Sequence, residues 1–143
     1  AMNTKAGSFH MENTTYKNVS GVEQGGHITT VRDISTLAKA AMAYPFIRDT
    51  VKLEKAIVTD TTGQIAHELK STDKLLGKVA GIEGIKTGWT TQAGECLVAQ
   101  VTRDGNTIIS VVLKSDDRFG ETEYLIEWAF SNHMWKTFQF EEP

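Results

Sequence analysis

Two β-forming runs joined by a tight turn constrain the fold of this chain more than any other feature. The runs are Cys96-Leu-Val-Ala-Gln-Val-Thr102 and Thr107-Ile-Ile-Ser-Val-Val-Leu113. The turn between them, Arg103-Asp-Gly-Asn106, contains Asp-Gly, a dipeptide that readily adopts the positive φ angles of a hairpin turn. The sequence therefore predicts an antiparallel hairpin over residues 96–113.

Apolar residues that recur every three or four positions predict two helices. The first begins after Thr30, whose hydroxyl can accept the amide hydrogen of Asp33, and it ends before Pro45. The second runs from Arg118 to about His133 and is expected to pack on the sheet. The apolar side of the first consists of Val31, Ile34, Leu37, Ala38, Ala41 and Met42, and that of the second of Tyr124, Leu125, Trp128 and Ala129.

A second hairpin is predicted from Ala56-Ile-Val-Thr59 and Gln64-Ile-Ala-His-Glu-Leu69, which flank the turn-forming Asp60-Thr-Thr-Gly63. A glycine-rich loop over residues 77–84 then leads into a further β run, Ile85-Lys86-Thr87-Gly88-Trp89-Thr90. Helices and antiparallel strands in this order indicate an α+β fold. Because 143 residues are the length of one ordinary domain, residues 1–143 are expected to form a single domain.

Charge and composition exclude several classes of protein. The chain has 15 Lys and Arg residues against 18 Asp and Glu residues, so it lacks the basic excess of a nucleic-acid-binding protein. No apolar run approaches the roughly 20 residues that span a bilayer. The N-terminal residues contain no apolar core, so no secretory signal is predicted within the chain. The four histidines and the single Cys96 lack the spacing of a metal site, and no metal or cofactor is predicted. The C-terminal aromatic residues Phe130, Trp135, Phe138 and Phe140 are expected to pack in the core.

The segment that carries chemical information is Gly81-Ile-Glu-Gly-Ile-Lys-Thr-Gly-Trp-Thr-Thr-Gln-Ala-Gly-Glu-Cys-Leu-Val98. It contains Lys86-Thr87-Gly88, which places an ammonium group, a hydroxyl and an unhindered backbone on consecutive residues. A bare Lys-Thr-Gly is a weak signal, but here Gly-Ile precedes it and Ala-Gly with an apolar strand follows. Strand alternation would point Lys86 and Thr87 to opposite faces, so both can serve one site only on an exposed edge strand with the ligand alongside.

This segment closely resembles the D-alanyl-D-alanine carboxypeptidase family of penicillin-binding proteins, and the resemblance extends over nearly the whole chain. It includes Met2-Asn3 to Val22, His27 to Met42 with Arg32-Asp33, Ser71-Thr-Asp-Lys-Leu-Leu76, Arg118, and Leu125 to Phe130. The resemblance implies a partial β-lactamase or transpeptidase-like domain, with an antiparallel sheet packed against helices and without the N-terminal strands and the nucleophile helix.

The resemblance also implies roles for individual residues. Lys86 would act in catalysis by stabilising negative charge, and Thr87 would bind the terminal carboxylate of the substrate. Gly88 would leave room for the substrate backbone, and the amide of Trp89 would be one of two oxyanion-hole donors. Arg118, and with less support Arg32, would supply positive charge for the carboxylate. For both arginines the alternative is an exposed ion pair.

The family's nucleophile is a serine in a Ser-x-x-Lys motif. Ser71-Thr-Asp-Lys74 matches that pattern, but we expect it not to be the nucleophile, because it corresponds by resemblance to a loop and lies just upstream of Lys86. The chain is therefore expected to form the substrate-binding part of a serine-type D-Ala-D-Ala carboxypeptidase, to lack its nucleophile and to be inactive by itself.

The sequence leaves two alternatives to a carboxypeptidase open. One is a catalytically silent binding or assembly module, because the strand from Thr107 to Leu113 would expose an unpaired edge. A second copy of the chain, or a separate N-terminal fragment, would then cover that edge. The weaker alternative is a β-lactamase fragment, which shares the Lys-Thr-Gly box. The resemblance implies a peptidoglycan stem peptide or a β-lactam as ligand, and a location outside the cytoplasm.

Overall fold

A computed structural model of the chain describes residues 1–136. The α+β fold is confirmed, and the described residues form four helices and five strands in an order that begins and ends with a helix. The elements are α1 Met2–Ser8, α2 Val31–Met42, α3 Pro45–Val51, β1 Lys55–Thr59, β2 Ala66–Lys70, β3 Ile82–Thr90, β4 Gly94–Arg103, β5 Asn106–Ser115 and α4 Arg118–Asn132.

The strands form two separate antiparallel sheets. β1 and β2 make the predicted hairpin, and β3, β4 and β5 form a sheet with β4 in the centre. The predicted turn between β4 and β5 is confirmed, since Asp104 and Gly105 have φ angles of 49° and 77°. Both values lie in the left-handed region that such a hairpin turn requires. Within the described residues, β3 and β5 are therefore the two edges of the larger sheet.

β3 begins earlier than predicted, because Ile82 already pairs with Val101 of β4. Gly81, inside the predicted loop, has a φ angle of 78°, and its carbonyl oxygen accepts a hydrogen bond from the amide of Thr102 at 2.9 Å. A side chain at Gly81 would come within 2.2 Å of the Thr102 carbonyl oxygen. A glycine is thus required for the chain to enter the sheet at this point.

The core lies between the sheet and α4. Leu97 and Val101 of β4 are fully buried and pack with Ile126 of α4 and with Leu75 and Val79 from the segment before β3. The predicted contact of α4 with the sheet is confirmed, but the predicted apolar side is wrong. Ile126 and Thr122 are fully buried, whereas Tyr124 is 70% exposed.

This difference has a simple physical reason. Phe119, Thr122, Ile126 and Phe130 follow one another at three- and four-residue steps and form the inward stripe of α4. The polar Thr122 interrupts that stripe in the sequence and conceals it. The larger Tyr124, Leu125 and Trp128 give a second apolar side, which remains largely exposed.

α2 and α3 pack on the sheet as well, and α3 contacts β3. The predicted cap of α2 is confirmed, because the Thr30 hydroxyl accepts the Asp33 amide at 3.2 Å. α2 ends before Pro45, as predicted, but Pro45 is also the first residue of α3, which was not predicted. Proline suits that position because its missing N–H would have no partner inside the helix.

The C-terminal aromatic residues differ in their environments. Phe130 packs against the core, as expected, but Trp135 remains 46% exposed. Phe138 and Phe140 lie outside the described residues. Among residues 1–136, no helix combines the length and the apolar character needed to cross a bilayer.

The inward stripe of α4 predicts opposite outcomes for two neighbouring substitutions. Ile126→Ala removes a fully buried side chain and is expected to lower the free energy of unfolding by about 2–5 kcal/mol. Leu125→Ala, on the exposed side, is the matched control and should change it by less than about 1 kcal/mol. Urea unfolding measures both. A larger loss for Leu125→Ala would contradict this packing of α4.

Candidate functional site

The Lys-Thr-Gly residues lie on β3, which is paired with β4 on one side and forms an edge of the described sheet. Lys86, Thr87 and Gly88 stand opposite Val98, Leu97 and Cys96 in a regular antiparallel register. The apolar residues of β4 are buried in the core, and β3 is fixed in place because it pairs with β4 along one edge. Its other edge has backbone groups available for a ligand that lies alongside.

The hydroxyl of Thr87 is almost enclosed by the protein. Thr87 is 8% exposed, and its Oγ1 lies 2.6 Å from Oγ1 of Thr72 in the segment between β2 and β3. Each threonine hydroxyl has one hydrogen to donate. If Thr72 donates to Thr87, the hydrogen of Thr87 is available for an acceptor on a ligand.

The side chain of Lys86 reaches the same edge by a different route. Lys86 is exposed, and its ammonium group donates a hydrogen bond to the carbonyl oxygen of Thr87. The flexible four-carbon stem thus brings the charge around to the strand edge, although the two side chains leave the strand on opposite faces. This contact places the Lys86 ammonium group beside the backbone of Thr87.

Arg118 comes to this strand from a distant part of the sequence. Its guanidinium Nη1 donates a hydrogen bond of 2.8 Å to the carbonyl oxygen of Gly88, 30 residues away. Arg118 is the first residue of α4, directly after Asp117, which caps that helix by accepting the amide of Gly120. The fold of β5 and α4 therefore delivers a cation to the Lys-Thr-Gly strand.

Several contacts hold the guanidinium in place. It stacks on the ring of Phe119 at 4.8 Å, and the Glu95 carboxylate lies 3.9 Å from its Nε. The same Glu95 oxygen accepts the backbone amide of Arg118 at 3.2 Å. Only 14% of the Arg118 side chain is exposed, and its buried Nε makes no hydrogen bond with the described residues.

The other two predicted site residues differ from each other. Trp89 follows Gly88 on β3, and its side chain is 64% exposed. Arg32 is exposed on the first turn of α2, a helix that packs on β4 and β5 rather than on β3. Its side chain forms no hydrogen bond or ion pair with the residues that the structure describes. The structure thus places Lys86, Thr87, Gly88 and Trp89 on β3 and brings Arg118 of α4 to the same strand, but it does not bring Arg32 to them.

A groove of about 320 Å³ lies beside this strand. Its wall includes Lys86 and Thr87, together with Lys55 and Lys70 from the β1–β2 hairpin and Asp73 from the following segment. The groove is thus lined by three lysines and one acidic residue, and this excess of positive charge favours the binding of an anion. The sequence analysis missed Lys55 and Lys70, because only the return of the hairpin to β3 brings them near the box.

Asp73 is the one titratable group of this region with a clearly shifted pKa. Burial raises the pKa of its carboxyl group, although the Leu75 amide and the charge of Arg118 oppose that shift. Oδ1 accepts the Leu75 amide at 2.9 Å, and Oδ2 is buried without a hydrogen bond in the described part of the chain. Asp73 is thus a carboxyl group in the wall of the groove whose ionised form is disfavoured by burial.

Ser71 also lines the groove, but its surroundings differ from those of a nucleophile at the start of a helix. It lies in the non-helical segment between β2 and β3, and its hydroxyl accepts the Asp73 amide at 3.2 Å. The ammonium group of Lys74 lies over the ring of Phe119 at 5.4 Å. Lys74 does not line the groove with Ser71.

Gly88 is a glycine that the fold itself does not require. Its φ angle is not in the left-handed region, and an added Cβ would make only an ordinary contact of 3.8 Å with Cys96. The absence of a side chain therefore leaves open space on the strand. In residues 1–136, no cluster of three or more His, Cys, Asp or Glu side chains is arranged to hold a metal ion.

Comparison with known proteins gives a consistent result. Residues 1–117 match the sequence profile of a family described as D-alanyl-D-alanine carboxypeptidase. The chain is 36% identical over 119 residues to the D-alanyl-D-alanine carboxypeptidase of Streptomyces sp. strain K15, which covers 80% of this chain and 40% of that protein. It is 34% identical over 133 residues to DacC, a D-alanyl-D-alanine carboxypeptidase of Escherichia coli K12, with 90% and 32% covered.

Solved structures show the same similarity in three dimensions. The DD-transpeptidase of Streptomyces K15 superposes with a TM-score of 0.85 at 31% identity, over 91% of this chain and 52% of that one. Penicillin-binding protein D2 of Listeria monocytogenes, in its ampicillin-bound form, gives 0.79 at 34% identity, over 90% and 54%. The chain thus spans about half the length of these structures and 32–40% of the two sequence relatives described above.

The raised pKa of Asp73 predicts a pH-dependent effect on stability. The folded protein holds this proton more tightly than the unfolded chain does, so the ionised carboxyl group destabilises the fold at neutral pH. Asp73→Asn is therefore expected to raise the free energy of unfolding at pH 7. This gain in stability should shrink as the pH falls through the raised pKa of the folded protein, and it should be small at the unfolded-state pKa of about 4.

Asp49→Asn is the matched control, because its effect on the free energy of unfolding at pH 7 is expected to have the opposite sign. Lys52 lowers the pKa of Asp49, so its stabilising effect is present at neutral pH and is lost as the pH falls through that lowered pKa. Urea unfolding of both variants at pH 7 and pH 4 gives the comparison. A loss of stability in Asp73→Asn that is equal at both pH values would contradict the destabilising role of the ionised group.

Proposed function

This chain belongs to the D-alanyl-D-alanine carboxypeptidase family, and on that premise we propose that it supplies the carboxylate-binding edge of a serine-type active site. The ligand is a peptide that ends in D-Ala-D-Ala, as in the stem peptides of peptidoglycan, or a β-lactam. The ampicillin-bound structure of the Listeria protein, which shares this fold, supports a β-lactam as the second ligand class. The location that follows from such a substrate is outside the cytoplasm.

The observation that carries this proposal is the hydrogen bond between Arg118 and the carbonyl oxygen of Gly88. It places a permanent cation directly beside Lys86 and Thr87, which sequence spacing could not establish. A guanidinium group can bind a carboxylate with two parallel hydrogen bonds. Nη1 of Arg118 donates to the Gly88 carbonyl oxygen. Stacking on Phe119 fixes the plane of the guanidinium group and therefore the direction of its other N–H donors.

Thr87 and Lys86 complete the carboxylate site. With Thr72 as donor to Thr87, the Thr87 hydroxyl donates to a carboxylate oxygen of the ligand. Lys86, together with Lys55 and Lys70, makes the groove electropositive and attracts the anionic end of the peptide. Arg32 has no place in this site, because α2 packs on the other strands of the sheet.

Gly88 and Trp89 serve the reacting part of the ligand. The open space at Gly88 lets the peptide backbone approach the strand. The amide of Trp89 then donates to the oxygen of the penultimate D-alanine carbonyl, where negative charge develops during attack. A donor of this kind stabilises the transition state more than the substrate.

The attacking hydroxyl group comes from polypeptide outside these 143 residues. A serine oxygen attacks the carbonyl carbon of the penultimate D-alanine, the C–N bond to the last residue breaks, and D-alanine leaves with the proton of the serine. Water then releases the acyl group in a carboxypeptidase, whereas an amine takes it in a transpeptidase. The Streptomyces K15 relatives carry both names, and both reactions share the acylation step. The names of these relatives favour this assignment over a β-lactamase fragment.

Binding of a peptide tests the proposed site without requiring catalysis. The chain is expected to bind Nα,Nε-diacetyl-Lys-D-Ala-D-Ala and not the same peptide with a C-terminal amide. Arg118→Gln should weaken binding about tenfold or more, because it removes a charge-assisted contact of about 1.5–3 kcal/mol. Thr87→Val should weaken it about threefold to tenfold. Calorimetric titration measures these affinities.

Arg48→Gln is the control for the charge change, since Arg48 is exposed on α3 outside the groove beside β3. It is expected to leave the affinity unchanged. The wild-type chain should also remain unlabelled by fluorescent penicillin, because the proposed nucleophile lies outside these 143 residues. Covalent labelling that disappears in Ser71→Ala would place the nucleophile in this chain and overturn that part of the proposal.

A second candidate function is an assembly module, and the exposed side of β5 and α4 favours it. A groove beside β5 is lined by Ile108, Ile109 and Val111 and by Leu125, Trp128 and Trp135. Trp128 is 49% exposed although it is large and apolar. β5 lies at an edge of the described sheet, and an edge of this kind can pair with another strand. A second copy of the chain, or a separate N-terminal fragment, would cover both features.

Light scattering tests the self-associating form of this candidate. The wild-type chain is expected to be a dimer at about 100 μM, which is ordinary for a modest interface. Trp128→Lys should shift it to the monomer by placing a charge in the apolar groove. Tyr124→Lys is the matched control, because Tyr124 is exposed on the same helix but does not line the groove. A wild-type monomer would exclude self-association at that concentration.

A further inference from the structure

A second groove adjoins the end of the Lys-Thr-Gly strand. It has a volume of about 370 Å³ and lies between the loop Ser20-Gly-Val-Glu23 and residues Trp89, Thr90 and Thr91. Trp89 and Val22 are each 64% exposed, which leaves a broad apolar surface in contact with water. This surface takes no part in the proposed reaction, because only the backbone amide of Trp89 enters that reaction.

Glu23 is the one ionisable side chain that lines this groove. Its Oε1 accepts the backbone amide of Gln92, and this hydrogen bond, with that of the Thr90 hydroxyl, lowers the pKa of the carboxyl group. Glu23 is therefore anionic at neutral pH. Each carboxylate oxygen can accept more than one hydrogen bond, so these contacts leave capacity for a ligand.

The contact between Glu23 and Gln92 also fixes the shape of the groove. It joins positions 69 residues apart in the sequence and ties the loop of Glu23 to the turn between β3 and β4. The carboxylate is thereby held in the groove that the exposed Trp89 also lines. A carboxylate and an aromatic ring in one groove can together attract an organic cation.

The direction of the ligand along β3 places its upstream residue at this groove. In the proposed site, the terminal carboxylate lies at Thr87 and the reacting carbonyl lies at the Trp89 amide. An extended peptide advances about 3.3 Å per residue, as a strand does. The residue that precedes the two D-alanines therefore lies beside Thr90 and Thr91, and the ligand runs antiparallel to β3.

From this geometry we infer that the groove between Glu23 and Trp89 is a specificity site for the side chain that precedes the D-Ala-D-Ala pair. That side chain carries an ammonium group on an aliphatic stem. The stem packs on the indole of Trp89 and on Val22, and the ammonium group pairs with the Glu23 carboxylate. This inference rests on the proposed function, because the position of the upstream residue depends on the carboxylate binding at Thr87 and Arg118.

Two peptides that differ in one charge test the inference on the 143-residue chain. Nα-acetyl-Lys-D-Ala-D-Ala has a free ammonium group, and Nα,Nε-diacetyl-Lys-D-Ala-D-Ala is its neutral counterpart. The charged peptide is expected to bind about fivefold more tightly, a ratio typical of an exposed ion pair combined with a cation–π contact. Raising the ionic strength should reduce this ratio. The shift of the Trp89 indole N–H resonance in NMR titrations reports affinity and location together.

Glu23→Gln isolates the charge while keeping an oxygen that can accept the Gln92 amide. In this variant the ratio of the two affinities should fall to about one. Glu123→Gln is the matched control, because Glu123 is exposed on α4 and lies outside the groove. Its ratio should stay at the wild-type value. Trp89→Phe identifies the indole resonance and should reduce the ratio in part, since phenylalanine offers a weaker cation–π face.

The outcomes separate this inference from the proposed function. Equal binding of both peptides, with Arg118→Gln still weakening both, would overturn the specificity site and leave the carboxylate site in place. A preference for the charged peptide that survives in Glu23→Gln would also overturn it. Binding of neither peptide would overturn the proposed function and this inference together.

Discussion

The central position of β4 is the constraint on which the rest of the structure depends. Its inward residues Leu97, Ala99 and Val101 are fully buried against the layer that contains α4. Removing apolar side chains of this size from water provides the main driving force for folding here. Because β4 is held in the core, its antiparallel partner β3 is fixed in position while its own outer edge stays available. The strand that carries the proposed site is therefore held in place by pairing with β4, although it lies at an edge of the described sheet.

The electrostatic arrangement follows from the same architecture. Arg118 begins α4, and α4 is positioned by the contact of Ile126 with the core. The guanidinium group is therefore placed against Gly88 by the packing of α4 on the core. Glu95 supplies nearby negative charge without a short ion pair to Nε of Arg118, since the two groups are 3.9 Å apart. In the proposed site, a cation that is held in this way keeps hydrogen-bond donors for the carboxylate of the ligand.

Several elements could be predicted from the sequence because their causes are local. The turn at Asp104-Gly105 needs positive φ angles, and the helix after Thr30 needs a cap, and both requirements are written in a few adjacent residues. The face of α4 was predicted wrongly, because Thr122 is polar and yet fully buried while Trp128 is apolar and half exposed. Which face is covered depends on the neighbouring layers, and local periodicity does not contain that information.

The sequence by itself determined the α+β class, both hairpins and the Lys-Thr-Gly strand, and its resemblance pointed to the family. All of these depend on residues that are close together in the chain or on a continuous motif. Only the tertiary structure decided that Arg118 reaches Gly88, that Lys55 and Lys70 line the groove beside β3, and that Arg32 does not join them. It also decided that Glu23 and Trp89 line one groove. Such contacts join residues distant in sequence, so they exist only after the strands have paired and the helices have packed on them.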